Sequence, residues 1–195
     1  MEYTSKLYAF LQPADPTYFG RVKRYLNPQP QDKILEIGCG RGYTTKKVQR
    51  ITPQTFGIDL NEKAIQNGVA QNLRAMNAET LEFPDNTFDK IYSFHTIEHI
   101  PNIAKALGEM ARVVKPGGKI MLVYPAEPIR GMFAMSAAAI LLKNPFRARE
   151  IHLHKLSPGG IQRLISGLSL EHVRSSFSLF WLPEFRTILQ KKTLL

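Results

Sequence analysis

Two carboxylates and three glycines carry the first chemical signal of this chain. The apolar run Ile34-Leu35-Glu36-Ile37 holds one acid and then breaks into Gly38-Cys39-Gly40-Arg41-Gly42. Glycines at alternate positions remove Cβ atoms where a buried strand must turn sharply into a helix and let a ligand approach the backbone. A dinucleotide fingerprint reads G-x-G-x-x-G, but here the third glycine comes one position early, which argues against a plain nicotinamide dinucleotide site. Glu36, embedded among aliphatic residues, needs a cation or hydrogen-bond donors close by. Asp59 follows Gly42 by 17 positions, near where doubly wound folds set a carboxylate on ribose hydroxyls. Together these residues point to a ligand that carries a sugar.

Strand-like and helix-like segments alternate around these residues after a short helical lead-in, the pattern of a parallel sheet covered on both faces. Strands are expected at 33–37, 55–59, 73–77, 89–94 and 119–124. Asn61 is placed to cap a helix over 61–68, with Glu62 favourable in its first turn. The turn Pro84-Asp85-Asn86-Thr87 precedes the fourth strand. A helix over 103–114 is expected to stop at Pro116-Gly117-Gly118. The rhythm then breaks between Pro125 and Lys155, far longer than an ordinary α/β connection. Within it, 131–142 is apolar on every side and flanked by Arg130 and Lys143. That is too short to span a bilayer, which takes about 20 residues, so it must bury itself in core, partner, substrate or lipid surface. Ser157-Pro158 then starts a helix whose apolar stripe is Ile161, Leu164, Ile165 and Leu168, with Gly167 as its stop. Segments 170–177 and 185–190 supply the last two strands.

The chain of 195 residues is expected to be one domain, with an apolar and basic cap insertion at about 126–155. Cys39 is the only cysteine, which excludes an internal disulfide and fits a reducing compartment. Residues 1–10 lack the zones of a signal peptide, so a cytoplasmic location is expected. The net charge is +10, and its distribution is uneven. Residues 1–111 carry 13 Lys/Arg against 12 Asp/Glu, whereas 112–195 carry 13 against only Glu127, Glu150, Glu171 and Glu184. Such a field draws phosphates, anionic headgroups or a small acidic substrate, or simply serves solubility.

Five ordered motifs carry a resemblance. Glu36-x-Gly38-x-Gly40-x-Gly42 with Asp59, Asn77-Ala78-Glu79, the run from Phe83-Pro84 to Phe88-Asp89, Glu98-His99-Ile100-Pro101, and Lys115-Pro116-Gly117-Gly118 resemble class I S-adenosylmethionine-dependent methyltransferases from about residue 30 to 125. The resemblance implies a Rossmann-like α/β fold: a seven-stranded, mostly parallel sheet with helices on both faces and an antiparallel last strand. It implies S-adenosylmethionine as cofactor and S-adenosylhomocysteine as product. Glu36, Gly38, Cys39, Gly40 and Gly42 would face its methionine part, whose ammonium suits an acidic neighbour. Asp59, followed by Leu60, would take the ribose hydroxyls. Asn77 stands where the family often has Asp, and with Ala78 would read the adenine edge; Glu79 would instead stabilise the loop. Phe94, His95 and Thr96, ending the fourth strand, would border the methyl group, with His95 the foremost candidate base. Glu98 and His99 would fix the start of the next helix.

Methyl transfer from a sulfonium needs collinear approach more than covalent help, so proximity supplies most of the acceleration. A base matters where the acceptor must lose a proton, and the candidates are His95, Tyr124, His152 and His154. The pair His152-x-His154 lacks a clustered third ligand type in the sequence, so no metal is expected. Cys39, without local basic activation, reads as a small apolar filler. The Asp/Asn-Pro-Pro-Tyr signature of similar adenine amino-methyltransferases is missing after the fourth strand, as is a Pro-Cys pair for cytosine attack. Aromatic and basic residues form no interleaved nucleic-acid module. The leading acceptor is therefore a hydrophobic small molecule or lipid-like compound, with peripheral contact to an anionic membrane through the cap's basic flanks. An RNA methyltransferase and a non-catalytic cofactor-binding regulator are the alternatives. Tyr3, Tyr8, Tyr18 and Phe19 read as helix packing residues.

Overall fold

A computed structural model describes residues 16–126, 152–179 and 183–193. The cap segment 131–142, its flanks Arg130, Lys143, Arg147 and Arg149, and Tyr3 and Tyr8 lie outside the described residues. The chain runs α1 (Pro16–Leu26), β1 (Ile34–Ile37), α2 (Tyr43–Val48), β2 (Thr55–Asp59), α3 (Glu62–Gln66), β3 (Leu73–Ala75), β4 (Phe88–Phe94), a 3₁₀ turn (Ile97–His99), α4 (Ile103–Val113), β5 (Val114–Pro125), α5 (Pro158–Leu164), β6 (Leu170–Ser178) and β7 (Glu184–Lys191). The seven strands order β3-β2-β1-β4-β5-β7-β6. β1 pairs in parallel with β2 and β4, β5 continues in parallel beside β4, and β7 runs antiparallel to both β5 and β6. The expected fold class holds, including the antiparallel last strand.

Strand alternation sorts the core onto two faces. Leu35 and Ile37 of β1 pack with Ile103, Leu107 and Met110 of α4 and Ile161 of α5. Ile34 turns the other way, into a layer with Val22 and Leu26 of α1, Val48 of α2, Tyr92, Phe94, Met121 and Val123. The chain order reverses between β1 and β4, so the connections leaving their carboxyl ends diverge and open a crevice.

Several boundaries differ from the sequence reading for local reasons. Helix α4 ends at Val113, and Pro116-Gly117-Gly118 falls inside β5, because Val114 already pairs with Phe88. The register then jumps to Lys90 opposite Lys119, leaving the Pro-Gly-Gly residues as an irregularity within the strand. β3 stops at Ala75, two residues early, because Asn77 Oδ1 accepts the Glu79 N–H at 2.9 Å and bends the chain. α3 ends at Gln66, after Asn61 Oδ1 caps it by accepting the Ala64 N–H at 3.1 Å. Ser157 caps α5 as expected, its Oγ accepting the Gly160 N–H at 3.1 Å. Among the described residues no helix is long and apolar enough to cross a membrane.

Candidate functional site

The carboxyl ends of β1, β2 and β4 frame a cleft, at the place where open parallel sheets bind their ligands. Of the expected site residues, Gly38, Asp59, Leu60, Asn77, Ala78, His95 and Thr96 line it, while Glu36, Cys39, Gly40, Gly42 and Phe94 are not part of its lining. Ile37, Ile58, Asn61, Met76, His99, Ile100 and Pro101 complete the lining. His99, Ile100 and Pro101 belong to a motif read above as fixing the next helix rather than as site, and the others were missed because in sequence they read as ordinary strand-end or loop residues. Their common signal is position at the carboxyl ends of parallel strands.

The alternate glycine spacing has a backbone cause. Gly38, Gly40 and Gly42 all adopt positive φ, at 75°, 54° and 78°, a conformation that side-chain-bearing residues rarely take. Gly38 and Cys39 donate their N–H groups to the Ile58 carbonyl at 2.8 and 2.9 Å, tying the loop to the end of β2. The thiol of Cys39 is buried, and burial pushes its pKa well above the ordinary value, so it is no nucleophile.

Glu36 points from β1 toward α2. Its Oε2 accepts hydrogen bonds from the Thr45 hydroxyl and, at 3.0 Å, from the Tyr92 hydroxyl. Donors, rather than a cation, meet the need the sequence posed. Burial pushes its pKa up to about 7, against the lowering effect of the Thr45 and Tyr92 bonds. Asp59 closes β2 with Oδ2 accepting the Gly40 N–H at 2.7 Å and Oδ1 accepting the Asn61 N–H at 2.9 Å. Its pKa too is raised by burial, with those two N–H bonds opposing. Each carboxylate oxygen has a second acceptor site, so the loop holds Asp59 in place while lone pairs remain for hydroxyl groups in the cleft. Glu79 accepts the Asn102 N–H at 2.9 Å, the loop-stabilising role expected of it.

His95 follows β4 with φ of 49°, a strained setting for a non-glycine residue and one that concentrates at functional sites. Its Nε2 lies 3.2 Å from Glu184 Oε2, and its Nδ1 lies 3.7 Å from Glu98 Oε1. Glu184, the first residue of β7, also accepts a hydrogen bond from Arg21. Burial raises the Glu184 pKa, but the bonds from His95 and Arg21 outweigh it and hold the carboxyl below its ordinary value. Glu184 was missed. Its one signal in sequence is that it is among only four acids in the basic final segment. Tyr18 stacks on Phe94 with centroids 4.0 Å apart and planes within 1°, so α1 packs against the end of β4 beside His95.

The other candidate bases separate cleanly. Tyr124 is buried, shares a 2.8 Å hydrogen bond with Thr187, and has its pKa pushed up to about 12 by burial, so it belongs to the core. The His154 Nε2 lies 2.9 Å from the Ile100 carbonyl, and its N–H donates to the Glu98 carbonyl at 3.1 Å, a structural tie. His152 parts from His154 and joins another group: one of its ligand atoms lies within 4.8 Å of one each from Glu98 and His99. The signal was inaccessible in sequence because more than fifty positions separate His99 from His152.

A family model described as "Methyltransferase domain" matches residues 35–122. The chain is 30% identical over 168 residues to a ubiquinone biosynthesis O-methyltransferase of Agrobacterium fabrum, covering 79% of this chain and 66% of that one. It is 29% identical over 116 residues to a demethylmenaquinone methyltransferase of Corynebacterium urealyticum, covering 58% and 50%. The chain thus spans just under two thirds, or less, of the length of these relatives. Among solved structures, a SAM-dependent methyltransferase of Methanosarcina mazei superposes with a TM-score of 0.66 at 21% identity over 86% of this chain and 95% of that one, a likeness of fold. The glycine loop, the acid ending β2 and the family match agree, and the chain belongs to the S-adenosylmethionine-dependent methyltransferase family.

Proposed function

We propose that this chain transfers a methyl group from S-adenosylmethionine to a hydrophobic small-molecule acceptor with a ring hydroxyl, of the quinol or phenol class. The observation that carries the reading is the convergence of Gly38, Asp59, Asn77-Ala78 and His95-Thr96 on one cleft whose remaining lining is largely apolar. The acceptor class is supported by the two relatives, one named for ubiquinone biosynthesis and one for demethylmenaquinone. Bound cofactor supplies an electrophilic methyl on a good leaving group. The chain's own residues then position and deprotonate. Gly38 lets the cofactor lie against the backbone, Asp59 takes the ribose hydroxyls, and Asn77 with Ala78 meets the adenine edge. His95 stands at the cleft to accept the proton of the attacking hydroxyl, and Glu184 orients its ring. Apolar walls from Ile37, Met76 and Ile100 exclude water from the line of displacement.

Incubation with methyl-labelled cofactor and a panel of quinols, simple phenols and transfer RNA tests the reading. Label is expected in the organic phase with a quinol or phenol. Label only in RNA, or none although calorimetry shows cofactor bound, overturns it. Asp59→Ala is expected to weaken cofactor binding by about 1–3 kcal/mol, or roughly 5- to 150-fold, with circular dichroism unchanged. Unaltered affinity in that variant removes Asp59 from the ribose role.

A further inference from the structure

At the edge of the cleft stands a cluster to which methyl transfer assigns no part. Glu98 lies on the 3₁₀ turn after β4, is 1% exposed, and neither carboxylate oxygen has a hydrogen-bond partner. Buried carboxylates are ordinarily hydrogen-bonded as well as paired, and here Oε1 meets imidazoles at ion-pair distance without a hydrogen bond. His95 Nδ1 stands 3.7 Å and His99 Nε2 3.9 Å from Oε1, both beyond hydrogen-bonding distance. The ring of His152 lies 5.2 Å from that of His99, centroid to centroid. One ligand atom each from Glu98, His99 and His152 falls within 4.8 Å of the others.

These separations suit a shared ion better than a direct bond. Two ligands each about 2.0–2.2 Å from a tetrahedral zinc ion sit roughly 3.4 Å apart, so a small rotation of the side chains closes the cluster on a common centre. The backbone is already fixed for it. The His154 N–H bonds the Glu98 carbonyl, and His154 Nε2 lies beside the Ile100 carbonyl, so the segment carrying His152 is pinned to the turn that carries the other two. The arrangement joins residues remote in sequence through main-chain contacts of its own.

We propose that Glu98, His99 and His152 form a binding site for a divalent transition-metal ion, with zinc as the best match. Two imidazoles and one carboxylate favour zinc, cobalt or manganese over magnesium and calcium, which prefer all-oxygen shells. Three protein ligands leave a coordination position open, and because His99 also lines the cleft, that position adjoins the place where an acceptor would sit. The site goes beyond methyl transfer and stands independently of it, since binding is read without cofactor or acceptor.

The full chain, freed of metal by chelator and dialysis, is titrated with zinc by calorimetry and with cobalt by visible absorption. One equivalent of zinc is expected, with a cobalt spectrum of low coordination number. Glu98→Gln and His152→Ala should each weaken binding by more than the ~10–100-fold that loss of an outer partner of a metal ligand costs. His152 is partly exposed, so His152→Ala keeps the test meaningful should Glu98→Gln disturb folding, which circular dichroism reports. His172→Ala, at a histidine bonded to Ser175 on β6, should bind zinc as the unaltered chain does. Absence of stoichiometric uptake by the unaltered chain overturns the proposal. So does uptake that survives His152→Ala unchanged.

Discussion

Gly38→Val is expected to abolish detectable S-adenosylmethionine binding and to lower the melting temperature by several degrees. Gly38 sits at φ of 75°, and a Cβ added there would occupy the volume already filled by Cβ, Oγ1 and Cγ2 of Thr96. Two costs combine. Left-handed backbone costs a side-chain-bearing residue roughly 1–2 kcal/mol, and forcing extra carbon into a packed site costs about 1–3 kcal/mol more. Neither partner can yield cheaply, because Gly38 is tied through its N–H to Ile58 and Thr96 immediately follows the strained His95. Thermal unfolding and cofactor calorimetry read the two effects separately. Adding Thr96→Gly should return part of the stability by removing the clash while the backbone term persists. Gly20→Ala in α1 supplies the contrast, since a Cβ there meets nothing within 4 Å; it should stabilise the helix by up to about 1 kcal/mol. If Gly38→Val binds cofactor normally, the loop does not cradle it.

The reach of the sequence can be judged residue by residue. The glycine loop was legible because its signal is local: strand, turn and helix lie within ten positions, and the backbone demand falls on the one residue type that meets it. Asp59 was legible for a related reason, since an acid closing a parallel strand one βαβ unit later has few other uses. Glu184 was not, because its partner His95 is 89 positions away and β7 reaches β4 only through the order of the sheet. The Glu98-His99-His152 cluster fails for the same reason. The misplacement of Pro116-Gly117-Gly118 differs in kind. Proline and glycine locally signal a stop, but pairing of Phe88 with Val114 extends the strand through them, so a tertiary contact overrode a local preference. Glu36 lies between these cases: the need for donors was readable, their identity as Thr45 and Tyr92 was not.

That pair of hydroxyl donors makes Glu36→Gln the most informative substitution after Gly38→Val, because stability and cofactor affinity should move in opposite directions. Burial has raised the Glu36 pKa from 4.5 to about 7. Below 4.5 the carboxyl is protonated in both the folded and the unfolded chain. Between there and 7 the unfolded chain gives up its proton while the folded one retains it, so stability falls as pH rises through this window and stays reduced above it. The full difference is about 3 kcal/mol. A glutamine keeps an oxygen for Thr45 and Tyr92 yet carries no charge, so without cofactor Glu36→Gln should be more stable by up to that amount at pH 8 and by almost nothing at pH 4. Denaturant unfolding at the two pH values checks this. On the proposed reading, the charge that destabilises the cofactor-free fold is also the one that would suit the ammonium group of the cofactor. At pH 8 the variant should bind S-adenosylmethionine roughly 10- to 100-fold more weakly, the worth of a charge-assisted contact. In the unaltered chain, affinity should decline as pH falls through about 7, and binding near that pH should release a proton, visible as calorimetric heats that vary with the buffer. Glu36→Gln should lose both behaviours. A variant that gains stability but binds as tightly as before would confine Glu36 to the core and leave the ammonium to backbone carbonyls of the glycine loop.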